Sequence, residues 1–375
     1  MTITGILDVL GQPHFERLKS GGSDFGNESI VDRINPQMLY LVDSMWYQYP
    51  PLSTFWYVLI GLFMFCIGII SGIGNGLVVY IFTTTPNLRT PSNLLIVNLA
   101  FADFCMVFYM VPVMVYNSTQ GTWNLGPLAC SLYGVIGSMF GNCSIWTMVM
   151  IAIDRYNVIV KGISGPKLSI KSVCIIMFII WVHGLIWTLA PVFGWNRYVP
   201  EGNMTSCGTD YLTKDWKSRS YILVYSVFAY FTPLFTIVWA YFHIVKSVAD
   251  HERNMREQAK KMNVESLRAG DGGDTRAEIK IAKVSLMVIA LWFMAWTPYL
   301  IVNYAGIFEI FPLSPLSTVL PAVFSKANAI YNPIVYAISH PKYRQALSEK
   351  CPFFCSADTS SKSDAASEKT AATKT

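Results

Sequence analysis

The most telling shortage in this chain of 375 residues is of charged side chains, which make up only 14% of the sequence. Soluble domains carry roughly a quarter of charged residues, so this composition excludes an ordinary soluble globular protein. Hydrophobic residues make up 53%, and they are concentrated in blocks of about 20 to 30 residues, long enough to cross a bilayer as a helix. The chain is therefore predicted to be a membrane protein.

The sequence also lacks the usual signatures of enzymes and transporters. It contains no metal-ligand cluster, no phosphate-binding loop and no nucleophile–base motif. A transporter is expected to carry internal repeats or a path of ionisable groups, and neither is present. The candidates for function are therefore the few polar residues inside the apolar blocks.

Seven apolar blocks are predicted to be transmembrane helices, because lipid offers backbone polar groups no partner outside helices and closed barrels. Helical segments of this length do not suit a barrel, so the predicted fold class is an all-α membrane protein with a seven-transmembrane helical bundle. The predicted spans are residues 54–82, 92–116, 128–158, 172–194, 220–245, 281–308 and 315–339.

The segments outside the spans complete the predicted domain organisation. We expect residues 1–53 to form an extracellular tail, residues 54–339 the transmembrane domain, and residues 340–350 a short amphipathic helix on the cytoplasmic membrane surface. Residues 351–375 are small and polar without apolar periodicity, which predicts a disordered cytoplasmic tail. Such a tail is either a solubilising segment or a target for phosphorylation.

Lysine and arginine predict the orientation of the bundle. They are frequent in residues 246–283 and 155–171 but absent from residues 120–127 and 306–315. The positive-inside rule therefore places the N-terminus outside and the C-terminus in the cytosol. The first 50 residues lack a basic region followed by an apolar stretch, so we expect the first span, rather than a cleaved signal peptide, to direct insertion.

The stretch LPAVFSKANAIYNPIVYAI places Lys326 inside an apolar helix, where polar groups are costly and are candidates for function. Burial favours the neutral, nucleophilic form of an amine. The residues alone leave other roles open, because a lysine here could pair with a carboxylate or line a wet ligand cavity. Asn75, Asp103 and Asn332 lie in other apolar helices and either join helices by hydrogen bonds or form a network that repacks on switching.

Two further motifs lie at places where a bundle can change shape. Asp154, Arg155 and Tyr156 end the third span, where the adjacent Asp and Arg can form a charge-assisted pair, although basic residues at an inner membrane boundary are common. Pro298 removes a backbone hydrogen bond from the sixth span, and Trp296 lies two residues before it. Pro233 and Pro333 have the same effect in the fifth and seventh spans.

Together these motifs resemble the rhodopsin-class G-protein-coupled receptors. Lys326, six residues before Asn332, matches the retinal-attachment lysine of opsins. The strings YQYPPLSTFWY, FGWNRYVPEGNMTSCGTDY, REQAKKMNVESLR, FMAWTPYL and ISHPKYRQAL resemble arthropod visual opsins, most like their long-wavelength branch. The resemblance covers roughly residues 47–347.

The resemblance implies a light-activated receptor and visual pigment rather than an enzyme. Its chromophore would be 11-cis-retinal, or a hydroxylated relative, bound to Lys326 as a protonated Schiff base and isomerised to the all-trans form by light. The implied partner is a heterotrimeric G protein of the q class, in the rhabdomeric microvillar plasma membrane. A retinal photoisomerase without signalling and a receptor for a diffusible ligand are the alternatives.

The resemblance also implies roles for particular residues. Vertebrate visual opsins have a Glu counterion where this chain has Tyr133, so we expect Glu201 to be the counterion, with Tyr133 and Ser206 as hydrogen-bonding intermediaries. A solvated loop carboxylate is the ordinary interpretation of Glu201 without the resemblance. The implied retinal pocket consists of Trp296, Tyr299, Ser138, Gly141, Asn142 and Tyr211. The implied switch and coupling residues are Asp154, Arg155, Tyr156, Asn75, Asp103, Asn332, Pro333 and Tyr336.

Covalent modifications are expected on both sides of the membrane. Cys130 and Cys207 are the cysteines on the outer, oxidising side, so they are predicted to form a disulfide. Asn27 and Asn203 lie in outer sequons and are predicted to carry glycans.

On the inner side, Cys351 and Cys355 are candidates for palmitoylation, with free thiols as the alternative. The basic inner surface suits a G-protein helix with acidic ends or anionic lipid. The C-terminal tail would be bound by a receptor kinase and arrestin, and no nucleic acid partner is expected.

Overall fold

A computed structural model describes residues 28–262, 273–339 and 341–352. In this part of the chain seven long helices follow one another and form an antiparallel bundle. They are α1 (Thr54–Thr84), α2 (Pro91–Gln120), α3 (Pro127–Tyr156), α4 (Ile170–Leu189), α5 (Trp216–Ser226, a π-helical turn Val227–Phe231 and Thr232–Lys261), α6 (Gly273–Phe308) and α7 (Pro315–Ser339). A short helix, α8 (Pro341–Lys350), follows the bundle.

The helix ends follow from local chemistry. Thr90 caps α2 by accepting a hydrogen bond from the Asn93 backbone N–H over 3.3 Å, and Pro91 occupies the first turn, where its missing N–H costs nothing. Gly121 ends α2 with φ +67°, a left-handed conformation that glycine adopts without strain. Ser169 and Ser172 form a reciprocal cap at the start of α4.

By length and hydropathy, six helices of the described chain are able to cross a membrane, namely those of the first six predicted spans. The seventh, α7, has 25 residues but is less apolar, because it carries Lys326, Asn328 and Asn332. All three side chains are buried within the bundle. The predicted fold of seven transmembrane helices is thus confirmed.

The predicted spans differ from the helices most on the cytoplasmic side. The fifth span was predicted to end at 245 and the sixth to begin at 281, whereas α5 continues to Lys261 and α6 begins at Gly273. The extension of α5 is charged and carries the pairs Arg253–Glu257 at 3.1 Å and Glu252–Arg256 at 3.7 Å. A hydrophobicity pattern marks where the membrane ends, but a helix with favourable side-chain pairs continues into water.

Residues 28–53, which belong to the segment predicted to be an extracellular tail, pack against the bundle. Ile30, Met38 and Trp46 are at most 1% exposed and pack into the outer hydrophobic cluster of the bundle. The Tyr49 hydroxyl donates a hydrogen bond of 2.5 Å to the Leu313 carbonyl at the start of α7. This segment therefore forms a packed cap on the outer end of the bundle.

A two-stranded hairpin lies between α4 and α5. Strand β1 (Tyr198–Pro200) pairs antiparallel with β2 (Cys207–Thr209), with Tyr198 opposite Thr209 and Pro200 opposite Cys207. Every residue of both strands is buried. The hairpin therefore lies inside the outer end of the bundle and forms the roof of the cavity beneath it.

Candidate functional site

A cavity with an empty volume of about 1000 Å³ lies beneath the β1–β2 hairpin. Its walls come from α2, α3, α5, α6 and α7, and they are mostly apolar and aromatic. Tyr133, Tyr299 and Ser325 line it together with Lys326 and Glu201 and add polar groups. A largely apolar cavity with a few convergent polar groups is typical of a small-molecule site.

The Lys326 ammonium group lies in this cavity and is only 7% exposed. Its Nζ donates a hydrogen bond of 2.9 Å to the Ala322 carbonyl, one turn earlier in α7. The centre of the Tyr133 ring lies 5.8 Å away. Among the described residues no carboxylate comes within ion-pair distance of this amine, so it remains accessible from the cavity.

The Glu201 carboxylate is the acidic group that lines the cavity, and it is 2% exposed. Its Oε2 accepts a hydrogen bond of 3.0 Å from the Ser206 hydroxyl, and its Oε1 accepts one of 2.7 Å from the Tyr299 hydroxyl. It also attracts the Lys326 amine electrostatically across the cavity. A buried carboxylate held by two donors is suited to stabilise a cation that it does not touch.

Gly208 leaves the space in which this carboxylate lies. A Cβ atom at that position would come within 2.4 Å of Glu201 Oε1 and 2.6 Å of the Tyr299 hydroxyl. No side chain can occupy that volume without moving both groups. The glycine in β2 therefore determines where the negative charge sits.

The tyrosines near Glu201 occupy places that the sequence did not indicate. Tyr299, predicted to line the pocket, also bonds Glu201, whereas the Tyr133 hydroxyl donates to Met114 Sδ over 3.6 Å. Tyr211, also predicted to line the pocket, is not among the residues that line the cavity, and it packs against Gly306 of α6 through both its ring and its backbone. Burial, and to a lesser extent the Glu201 charge, raises the pKa of Tyr211 well above its ordinary value, so this phenol is neutral at physiological pH.

The inner end of the cavity is formed by stacked tryptophans. Trp296 lies over Trp292 with ring centres 5.5 Å apart, and its outer edge faces Gly141 of α3. A Cβ atom at Gly141 would lie 3.3 Å from the indole. The Trp296 indole nitrogen is buried without a hydrogen-bond partner among the described residues. This ring is therefore held by packing alone.

A polar patch lies farther along α3. The Asn142 side-chain nitrogen donates to the Tyr225 hydroxyl over 2.6 Å and to the Ser138 carbonyl over 3.1 Å. Its side-chain oxygen is buried and has no partner in the described chain. Asn142 follows Tyr133 by nine residues, about 13 Å along the helix, so the patch lies away from Lys326.

Sequence reasoning missed much of the lining. One signal was available, because Gly134, Gly137, Ser138 and Gly141 recur at helical spacing on one face of α3, and all four line the cavity. Small residues at this spacing leave room for a ligand. No comparable pattern marks the other missed residues of the lining, which are Met106, Met110, Ile145, Gly208, Thr209, Ile222, Tyr225, Ser226, Ala229, Tyr230, Trp292, Leu300, Asn303 and Ser325.

A disulfide joins Cys130 at the outer end of α3 to Cys207 in β2 and closes a sequence separation of 77 residues. It ties the hairpin to the cavity wall. Replacing Cys207 with serine is expected to lower the free energy of unfolding by about 4 kcal/mol, because the bridge restricts the unfolded chain. Thermal unfolding in detergent measures this loss.

The matched control for this prediction is Cys66→Ser, which changes a free, lipid-facing thiol of α1 and is expected to leave the midpoint unchanged. Equal stability of Cys207→Ser and the unchanged protein would contradict the prediction.

Below the tryptophans, polar groups from four helices meet. The Asp103 carboxylate accepts hydrogen bonds from the Ser144 hydroxyl at 2.8 Å and from the Asn332 amide at 2.5 Å. Asn75 donates to the Ala329 carbonyl over 2.8 Å, and Pro333 packs against Gly74. The structure therefore brings α1, α2, α3 and α7 together through buried hydrogen bonds, with Tyr336 buried nearby in the inner core.

At the inner end of α3, the Arg155 guanidinium and the Asp154 carboxylate form an ion pair, and both side chains are less than 8% exposed. The next residue, Tyr156, packs against Trp239 of α5 with ring centres 4.7 Å apart. The pair lies where α3 meets the cytoplasmic end of α5. A buried pair in this position is suited to act as a switch.

The predicted modification sites differ in their exposure. Asn203 is fully buried, and its side-chain oxygen accepts hydrogen bonds from the Thr205 backbone N–H and hydroxyl, so the predicted glycan there is wrong for the folded protein. Cys351 is partly exposed after α8. Asn27 and Cys355 lie outside the described residues.

No group of histidine, cysteine and acidic side chains in the described chain could hold a metal ion.

Comparisons with known proteins agree with this geometry. The model of the family described as "7 transmembrane receptor (rhodopsin family)" matches residues 74–336. Rhodopsin of Camponotus atriceps is 62% identical over 333 residues, 89% of this chain and 88% of that protein. The long-wavelength rhodopsin of Apis mellifera is 56% identical over 351 residues, 93% of each. The crystal structure of squid rhodopsin superposes with a TM-score of 0.79 at 37% identity, covering 86% of this chain and 92% of that one.

Proposed function

The chain belongs to the rhodopsin family of seven-transmembrane receptors, among the arthropod visual opsins, and from this premise we propose how its residues perform light-activated signalling. In this proposal Lys326 holds a retinal chromophore covalently, Glu201 balances the charge of the linked nitrogen, and the inner face activates a heterotrimeric G protein of the q class. The observation that carries the proposal is a buried amine and a buried carboxylate that line one apolar cavity without touching.

The residues of the cavity fit a retinal group. Lys326 has one backbone hydrogen bond and faces the cavity, so its nitrogen is available for a covalent link. The Asn142 side-chain oxygen and the Trp296 indole nitrogen are buried without partners, as expected beside a bound ligand. When bound, retinal supplies absorption of visible light and a change from a bent 11-cis to an extended all-trans shape.

The electrostatic role of Glu201 follows from its burial. A positive charge on the nitrogen at Lys326 is costly in an apolar cavity unless an anion compensates it. Glu201 provides this anion, and the hydroxyls of Ser206 and Tyr299 fix its orientation. Tyr133 interacts with the nitrogen through the face of its ring, whose centre is 5.8 Å away, rather than through its hydroxyl.

Asn142 bears on which form of retinal is bound. Its side-chain carbonyl oxygen, which has no hydrogen-bond partner among the described residues, lies in the part of the cavity wall away from Lys326. Ser138 and the Tyr225 hydroxyl lie beside this side chain. An acceptor without a donor would bind a hydroxyl group on the far end of a ligand. This supports a hydroxylated retinal as an alternative to 11-cis-retinal as the chromophore.

The switch transmits a push on Trp296 to the cytoplasmic side. Pro298 cannot donate a backbone hydrogen bond, so α6 is weakest two residues beyond the tryptophan. Movement there would break the 2.5 Å hydrogen bond between Thr297 and Tyr230 of α5 and release the Asp154–Arg155 pair. Moving such an equilibrium from 1:99 to 99:1 takes roughly 5.5 kcal/mol, which the light-driven change of the ligand has to supply.

The partner surface is the cytoplasmic end of the bundle. The extension of α5 exposes Arg253, Arg256, Lys260 and Lys261, which suit a partner helix with acidic ends. In this scheme residues 54–339 carry light sensing and G-protein activation. Residues 351–375 would be the target of a receptor kinase and of arrestin in the rhabdomeric membrane.

Replacing Asp154 with asparagine is expected to raise nucleotide exchange in darkness several-fold, because Arg155 loses the anion that holds it in the inactive packing. The visible spectrum should stay unchanged, since Asp154 lies at the inner end of α3. Exchange on a purified q-class G protein, measured in darkness and in light, tests both statements.

The control for this experiment is Asp250→Asn, which removes an exposed carboxylate of α5. A pigment that photoisomerises without any light-dependent exchange would instead favour the photoisomerase alternative.

A further inference from the structure

A second cavity, separate from the chromophore site, opens toward lipid between the inner halves of α5 and α6. This α5–α6 groove is lined by residues 234–246 of α5 and 286–293 of α6, and its empty volume is about 1140 Å³. The residues that line it do not line the chromophore cavity, and none of them is a predicted switch residue. Its lining is apolar except for the Tyr241 hydroxyl and the Lys246 ammonium group.

Two tyrosines of α5 bridge this helix to α6 beside the groove, Tyr230 from the lining of the chromophore cavity and Tyr241 from the lining of the groove itself. On the outer side the Tyr230 hydroxyl bonds Thr297, and the Tyr230 ring packs edge-on against Phe293 at 5.2 Å. On the inner side the Tyr241 hydroxyl donates to the Ala282 carbonyl over 3.2 Å. These bridges are eleven residues apart on α5, about 16 Å along the helix, so they hold α5 to α6 along an elongated slot.

The chemistry of the slot changes along its length. Phe242 is 65% exposed and Ala290 has an open face, so the middle of the groove presents apolar surface to the bilayer. Lys246 is exposed five residues beyond Tyr241, and within the described part of the chain it is the one charged residue that lines the groove. It lies on the cytoplasmic side, where the inner leaflet carries anionic lipid.

We propose that the α5–α6 groove binds one acyl chain of an anionic phospholipid of the inner leaflet, with the lipid phosphate at the Lys246 ammonium group. The apolar slot takes the chain, and the single cation at its cytoplasmic end selects the charge of the head group. A groove of this shape without the cation would not distinguish anionic from neutral lipid.

Occupancy of the groove has a consequence for switching. The groove exists in a packing in which the Asp154–Arg155 pair is formed and both tyrosine bridges join α5 to α6. A ligand that binds one packing better than another stabilises that packing. A lipid bound in the groove stabilises this packing only if displacement of α6 weakens its binding.

Labelling with a photoreactive lipid tests the site directly. The full chain without chromophore is placed in bilayer discs that contain phosphatidylserine with a photoreactive group on one acyl chain, and the labelled peptides are identified by mass. We expect label on residues 234–246 and 286–293. Lys246→Gln should reduce labelling about fivefold, the effect of one cation near an anionic surface.

Two further variants make the test specific. Ala290→Phe fills the open groove without entering the core and should abolish labelling, while Lys171→Gln, which removes an exposed cation from the inner end of α4, should leave it unchanged. Equal labelling by a phosphatidylcholine probe, or label insensitive to both Lys246→Gln and Ala290→Phe, would overturn the proposal.

Stability provides the second measurement. Phosphatidylserine is expected to raise the unfolding midpoint of the unchanged chain but not that of Lys246→Gln. The Ala290→Phe variant should have a higher midpoint than the unchanged chain when both are in phosphatidylcholine without phosphatidylserine. A midpoint that responds equally to phosphatidylserine in all three proteins would contradict the site. Because both measurements omit retinal, their failure is distinguishable from failure of the proposed chromophore chemistry.

Discussion

Replacing Lys326 with alanine is expected to abolish formation of a visible pigment from the chain and 11-cis-retinal. The alanine has no nitrogen for the covalent link, and no other lysine lines the cavity in the described chain. Residual non-covalent binding would give only the near-ultraviolet absorption of free retinal. The measurement is the absorption spectrum after reconstitution and purification.

Ser325→Ala is the matched control, because Ser325 also lines the cavity and its hydroxyl also bonds the Ala322 carbonyl. This variant should keep the pigment. To exclude misfolding of Lys326→Ala, its unfolding midpoint without retinal is compared with that of the unchanged chain. A visible pigment in folded Lys326→Ala would disprove the proposed attachment site.

The second large effect is expected from Glu201→Gln, which removes the buried negative charge but keeps the size and hydrogen-bonding capacity of the side chain. The positively charged form of the linked nitrogen then loses its anion. The nitrogen should therefore give up its proton, and the pigment its visible absorption, at a pH about 1 to 3 units lower than in the unchanged protein. A titration of visible absorbance from acidic to alkaline pH measures the shift.

Glu309→Gln is a suitable control, because Glu309 is an exposed carboxylate on the outer side that pairs with Lys214. The pKa of Glu309 is lowered mainly by its hydrogen bond to Lys214, so Glu309 is charged at neutral pH. Its replacement should leave the titration of the pigment unchanged. If Glu201→Gln titrates like Glu309→Gln, then Glu201 is not the counterion.

The proposed counterion, Glu201, illustrates where sequence reasoning reaches its limit. Glu201 lies in the string PEGN, which has the composition of an exposed turn, and only the resemblance to opsins singled it out. Burial depends on the hairpin folding into the bundle, which in turn depends on the disulfide to α3 and on the space at Gly208. The same inward fold buries Asn203, so its sequon was misread as an outer glycan site.

The sequence by itself determined the number and order of the spans and the presence of an amine in the last one. These features depend on the composition of contiguous stretches, since an apolar run of sufficient length enters lipid whatever surrounds it. The tertiary structure alone decided the features that join distant residues. Among these are the Tyr299–Glu201 bond across 98 residues, the Asn332–Asp103 bond across 229 and the packed outer cap. Their partners have no local pattern, because hydrogen bonds and cavities form only when separate helices approach each other in space.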